Sequence, residues 1–239
     1  MLEILMLHRA AEVAAAPGAH VFPGGGVDGA DHEVIERGLF LGEDHDGASR
    51  RLDLAEGALA YFAAALRELF EEAGLLSVRR SDGGRFDGHA GQLARWRAQL
   101  LRGETRWAEL LSTHGLRLDF SGMEYLAHWV TPEGLAHRFD TRFFIIRAPE
   151  AQEASADGRE IDDVVWTGAP GALEHARRGE WKLLAPTERT LRTLATVAGV
   201  DEALSVAARE TVRRIQPRTI IRDGRRELAF PGDVDYGVE

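Results

Sequence analysis

Through residues 56–73, apolar positions recur with a helical period: Phe62, Ala65, Leu66, Leu69, Phe70 and Ala73 fall three and four apart on one stripe. The run is rich in alanine, a strong helix former, and Gly74 follows it as the left-handed residue that commonly ends a helix. The pattern therefore predicts a helix that buries one face. Off that stripe, Glu68, Glu71 and Glu72 stand at i, i+3 and i+4, so three carboxylates share about one turn. Like charges this close repel, and a hard divalent cation with oxygen ligands would keep all three ionised. The plainer reading of the same residues is a solvated acidic face, with Arg67 and Glu71 as a surface i,i+4 pair.

The rest of the chain alternates between the two periods. Residues 2–8 form an apolar run with β character, ending at Arg9, and lead into a turn-rich stretch that closes at Gly18. Residues 22–28 read Phe-Pro-Gly-Gly-Gly-Val-Asp, a turn whose glycines let backbone approach a ligand closely. Residues 29–55 are acidic and without a long apolar period, which suggests a loop with short helical pieces that could act as a lid. After a turn-rich segment at 79–86, Leu93, Trp96 and Leu100, then Trp107, Leu110 and Leu111, predict two short helices forming a small helical cap over 88–115. Their tryptophans read as packing in preference to stacking on a base. Residues 124–130 and 141–147 predict a hairpin around Pro132-Glu133-Gly134, and residues 160–166 a loop followed by a short strand. Helices are expected at 170–178, 187–198 and 201–214, the first with Pro near N1 and Gly179 after its end. Asp223-Gly224 between two β-prone runs signals a terminal hairpin, so 200–239 reads as a helix-and-hairpin extension.

Composition narrows the chemistry. With 239 residues and 44% hydrophobic content, one domain over 1–239 with insertions is expected. The chain has no cysteine, which excludes disulfides, thiolate metal sites and a cysteine nucleophile, and its histidines show no metal-binding spacing. A net charge of −10 argues against nucleic acid as a partner, so a polyphosphate would be met by metal and a few local arginines. No run reaches the length of a membrane span, no basic-then-apolar signal opens the chain, and the last residues are not a peroxisomal address, so a cytoplasmic location is expected.

Residues 67–75, Arg-Glu-Leu-Phe-Glu-Glu-Ala-Gly-Leu, match in full the second half of the signature G-x5-E-x7-R-E-U-x-E-E-x-G-U, with U apolar. On that motif the chain resembles the Nudix hydrolases. The first half is displaced, because the box is interrupted between Gly25 and Arg67, and Leu59 stands where the isolated Glu of the signature falls. An interrupted box is similar to that of the branch containing the animal peroxisomal coenzyme A diphosphatase. The likeness extends to residues 18–25, 129–132 and 138–144.

The resemblance implies an α/β fold, an α/β/α sandwich of Nudix type with a mixed sheet, the box insert at 29–55 and extra helices. It implies hydrolysis of a diphosphate that links a nucleoside to another moiety. Glu68, Glu71 and Glu72 would hold Mg²⁺ or Mn²⁺, with the Gly25 carbonyl as a further ligand, and Arg67 would orient the carboxylates. Glu160 lies six before Trp166, where many members carry a carboxylate, and it or one of Glu71 and Glu72 would take the proton from water. A coenzyme A-type signature ends on Gly18, Phe22 to Gly25 and Asp28, but its arginine is Ala14 here, and Arg9 is the candidate substitute. Phe22, Arg9 and Arg138 are the expected substrate contacts. Coenzyme A or an acyl-coenzyme A is therefore the favoured substrate, with ADP-ribose or NADH second. A catalytically silent nucleotide-binding module is the third reading, permitted by Leu59. Two structural expectations follow. A carboxylate from the insert or a nearby loop should replace the lost Glu beside Arg67, since a partly buried arginine needs a partner. The family usually has a strand before the first one seen here, so the edge of strand 2–8 should be covered by the terminal hairpin or by a second subunit in a homodimer, unless the chain's start is late.

Overall fold

The computed structural model describes residues 2–135, 138–222 and 225–236. β1 (Ile4–Arg9) turns back through residues 10–18 into β2 (Ala19–Val21), and residues 22–28 lead to α1 (Gly29–Glu36). There follow β3 (Phe40–Leu41), α2 (His45–Leu52), the long α3 (Ala58–Ala73), β4 (Val78–Arg80), α4 (Ala90–Leu101), α5 (Trp107–Thr113) and β5 (Leu116–Asp119). The hairpin partners β6 (Glu124–Val130) and β7 (Asp140–Ile145) precede β8 (Ile161–Thr167), α6 (Ala169–Arg177), β9 (Lys182–Leu183), α7 (Ala185–Leu194) and α8 (Val200–Arg209). β10 (Arg214–Ile215), β11 (Arg218–Arg222) and β12 (Arg225–Ala229) complete the order.

The pleat of β1 sets the layers. Successive strand residues point to opposite faces, and Met6 packs with Ala172 of α6, Leu191 of α7 and Ala203 of α8, whereas Leu5 and Leu7 pack with Ala73 at the end of α3. The second sheet repeats this division. Leu126 and Ile145 face the α6–α8 layer, and Tyr125 and Phe144 face α3 and the main core. Helices thus cover both faces, and the architecture is an α/β/α sandwich. Its sheets are mixed: β8-β1-β2-β9 is antiparallel except for β2 with β9, and β10-β6-β7 joins a parallel pair to an antiparallel one. Among the described residues no helix is long and apolar enough to cross a membrane.

Three expectations change. β1 is an inner strand, because β8 pairs with one side over Ile4–Arg9 and β2 with the other at Leu7 and His8, so the strands that flank it are neither the terminal hairpin nor a second subunit. β11 and β12 instead form their own two-stranded sheet, and the Asp223-Gly224 turn lies outside the described residues. The insert does not stand off as a lid. Its two helices are capped by the side chains of Asp28 and Asp44, and they bury Val34, Ala48 and Leu52 against Phe62 and the rest of the main core. α4 and α5 belong to that core as well, with Trp107 stacked on Phe70 at 5.8 Å, so their tryptophans are packing residues, as expected.

Candidate functional site

α3 carries the centre of the site because its faces part nearly as its periodicity predicts, except that Ala65 and Leu69 of the expected buried stripe are half-buried and line the cavity. Leu59, Phe62, Leu66 and Phe70 are buried in the main core, while Tyr61, Ala65, Glu68 and Glu72 line a cavity of about 1540 Å³ on another face. Gly74 ends the helix in the left-handed region at φ +74°, donating its N–H to Phe70 O at 2.9 Å. Arg97, brought in by α4, reinforces the same end, donating from Nε to Glu71 O and from Nη1 to Ser155 O, both at 2.8 Å. Nothing in the sequence pattern singles out Arg97.

Arg67 is the hub. Nε donates to Asp31 Oδ1 at 2.9 Å and Nη2 to Asp31 Oδ2 at 3.0 Å, a two-pronged pair. Nη2 also donates to Gly26 O at 2.8 Å, while Nη1 donates to Glu68 Oε1 at 2.8 Å and Glu71 Oε2 at 3.2 Å. These contacts match all five donors of a guanidinium. Burial opposes the charge of Arg67, but the Asp31 hydrogen bonds and the charges of Glu68, Asp31 and Glu71 outweigh it and hold the group charged. Asp31 is fully buried and lies in the insert, so the expected replacement for the missing Glu exists and is identified. Leu59, at the signature position, is a core residue with 1% exposure.

The glycine loop closes against the same helix. Gly24 N–H donates to Glu72 Oε2 at 2.8 Å, and a Cβ at Gly25 would run into the Glu68 carboxylate, which would have to move to admit a side chain there. Arg9, at the end of β1, donates from Nε to Ala15 O at 2.9 Å and from Nη2 to Glu160 Oε2 at 3.2 Å, and its Nη1 lies 3.5 Å from Glu72 Oε1. The strand, the loop and the head of β8 are thus drawn onto one helix turn. Burial pushes the carboxyls of Glu71 and Glu72 up to about 7, and that of Glu68 upward against the pull of Arg67. These groups are hard oxygen donors held largely out of water, a set suited to a divalent cation. Among the described residues no three acidic or histidine side chains gather around one point as a ready metal cage. Glu68 and Glu71 turn to Arg67, and Glu72 turns to Gly24 and Arg9.

The other predicted residues divide. Phe22, Arg9 and Glu160 line the cavity with Gly25, Glu68 and Glu72. Arg138 is exposed, outside that lining, with Nε 3.4 Å from Thr131 O. Arg142, four residues on, does line the cavity: its side chain is 5% exposed, its Cζ lies 4.6 Å above the Tyr61 ring, and Nη1 donates to Asp140 at 2.8 Å. Arg138 and Arg142 are an even number of positions apart, so a pleat alone would put them on one face; they differ because Arg138 lies before β7, which begins at Asp140, and Arg142 lies within it.

Comparison with known proteins agrees with this geometry. The family model described as the NUDT19 Nudix domain matches residues 35–192, more than half of the chain. The chain therefore belongs to the NUDT19-type Nudix hydrolases, and it is a Nudix diphosphatase. It is 28% identical to an acyl-coenzyme A diphosphatase NUDT19 of Gallus gallus, over 99% of this chain and 75% of that protein. The human protein of the same name is 27% identical over 98% of this chain and 72% of its own length. The crystal structure of a NUDIX hydrolase from Alicyclobacillus acidocaldarius superposes with a TM-score of 0.71 at 31% identity, covering 85% of this chain and 87% of the other. Leu59 gives no reason to read a silent module, since Asp31 supplies the partner that Arg67 requires.

Proposed function

We propose that the chain, as one Nudix unit over 1–239, hydrolyses coenzyme A or an acyl-coenzyme A with Mg²⁺ or Mn²⁺. Water adds to a phosphorus of the diphosphate and the P–O–P bond breaks, giving adenosine 3′,5′-bisphosphate and phosphopantetheine or its acyl form. The observation that carries this reading is the cavity, which combines Glu68, Glu72, Glu160 and the glycine loop with an apolar wall including Phe22, Leu126, Trp129, Phe143 and Leu184. A charged diphosphate with a long uncharged arm fits both surfaces. The names of the vertebrate relatives support the same substrate class.

Glu68, Glu71, Glu72 and the Gly25 carbonyl would hold the metal, which when bound neutralises charge on the phosphoryl oxygens and lowers the pKa of water. Arg67 orients Glu68 and Glu71. Glu160, 61% exposed at its side chain and paired with Arg9, accepts the proton from the attacking water, or Glu71 or Glu72 does so. Arg9 lines the cavity while it is engaged by Ala15, Glu72 and Glu160, and with Phe22 it is the proposed substrate contact on this side, in place of the arginine that the signature carries at Ala14.

The test is a comparison of kcat/KM for coenzyme A, its 3′-dephospho form, ADP-ribose and NADH in each metal. Coenzyme A should be cleaved with a preference over the 3′-dephospho form of at most roughly ten- to a hundredfold, the scale of one charge-assisted contact. Rapid cleavage of ADP-ribose with none of coenzyme A would transfer the case to the second reading.

A further inference from the structure

We infer that the segment after α8 selects among the arms a substrate can carry: β10 and the β11–β12 hairpin bring Leu228 to the apolar wall of the cavity, where it takes an acyl chain. The inference rests on the proposed coenzyme A-type substrate and deepens it.

A two-stranded hairpin is marginal in water by itself, so its position is set by what anchors it. Here the anchors belong to the cavity and the helix beside it. β10 pairs in parallel with β6, placing Ile215 opposite Trp129. Phe230, just past β12, meets the Trp129 ring edge-on at 6.2 Å, and the guanidinium of Arg189 on α7 stands 3.6 Å from the centre of the Phe230 ring. Ala229 is buried next to it. Leu228 is treated differently: it lines the cavity with Pro217 and yet stays exposed. Leu184, which leads into α7, lines the same cavity and is exposed as well. Aliphatic side chains left open to water on a cavity wall gain when an apolar ligand covers them. They offer no hydrogen bond to the polar edge of a nucleobase, so a base is the poorer occupant. Trp129 is an independent observation. It is buried and lines the cavity, and its indole N–H has no partner among the described residues. A buried donor of this kind calls for an acceptor, and the amide carbonyls of a pantetheine arm are acceptors on an otherwise uncharged chain. The arm would pass Trp129 and its acyl end would reach Leu184 and Leu228, while the diphosphate stays with Glu68, Glu72 and the glycine loop of the same cavity.

The experiment places a charge at Leu228 in the full chain and compares free coenzyme A with its acetyl and octanoyl esters as kcat/KM. Ile221→Asp is the control, since it puts the same charge on the same hairpin at an exposed position outside the cavity lining. In the natural chain the octanoyl ester should exceed free coenzyme A by at least about tenfold, a small part of the roughly fourfold available per buried methylene. Leu228→Asp should lower that ratio at least about tenfold, and Ile221→Asp should leave it within about twofold. A ratio that Leu228→Asp leaves unchanged, or that the control lowers equally, overturns the inference, as does equal cleavage of free coenzyme A and both esters by the natural chain. Leu228→Ser takes the place of the aspartate variant if that one does not fold. Binding of S-octanoyl-pantetheine, which has neither diphosphate nor base, is measured calorimetrically on the same proteins. It should be tighter than binding of pantetheine, and Leu228→Asp should weaken it at least about tenfold. Such binding without turnover of any coenzyme A compound would remove the proposed reaction and leave the acyl subsite standing. Turnover with no dependence on Leu228 would remove the subsite and leave the reaction standing.

Discussion

Glu72 shows how burial changes what a substitution tests. From spacing alone it belongs to an acidic face, yet it is 5% exposed, accepts the Gly24 N–H and lies beside Arg9. Glu72→Gln keeps the volume, removes the charge and retains an oxygen for Gly24. Because ionising a buried carboxylate is costly, the neutral isostere should fold as well as the natural chain. Turnover should fall by at least about a hundredfold, since a ligand charge is lost from the proposed metal set. Steady-state kinetics alongside a thermal melt checks both halves; normal turnover at a normal melting temperature would remove Glu72 from the site.

Element by element, the end of α3 is braced both from within its own chain segment and from α4. Gly74 satisfies one terminal carbonyl from within the chain, and Arg97 reaches from α4 to Glu71 O and Ser155 O. Arg97 is 7% exposed, so its removal leaves buried carbonyls unpaired next to the turn that carries Glu71 and Glu72. Arg97→Ala is expected to destabilise the protein by about 1.5–3 kcal/mol, the range for hydrogen bonds to a charged group. Urea denaturation measures this. A change below about 0.5 kcal/mol, ordinary for a surface position, would mean that water or neighbours replace the guanidinium.

Across the whole molecule, the β1 sheet holds a stack that responds to pH. His20 of β2 lies flat on Trp181 at 3.9 Å with a 4° interplanar angle, 4.8 Å from His8, and Trp181 is stacked in turn on His175. Burial, reinforced by the nearby His8 and His175 and opposed by Asp163, lowers the His20 pKa from 6.5 to about 4. A depressed folded-state pKa means that the unfolded chain takes up this proton first as pH falls. The contribution to stability is therefore present above about pH 6.5 and is lost as pH drops through 4. His20→Phe keeps a ring on Trp181 and removes the titration, so its denaturation midpoint should fall less steeply between pH 6.5 and 4 than that of the natural chain. Parallel curves for the two proteins would show that His20 is not the responsible group.

Local periodicity was enough to reveal α3, its buried stripe and its three carboxylates, because helix phase and side-chain direction are set within a few residues. The hairpin of β6 and β7, α6 to α8 and the glycine turn were legible for the same reason. Strands of two or three residues, such as β2, β3, β9 and β10, carry no period and exist only through their neighbours. The pairing of β1 with β8 joins Leu5 to Trp166, and Asp31 meets Arg67 across 36 residues of chain. Sequence could say that Arg67 needed a carboxylate, since a buried cation without one is too costly. Which carboxylate, which arginine of 138–142 faces the cavity, and what covers β1 were decided only when distant segments met in the packed core.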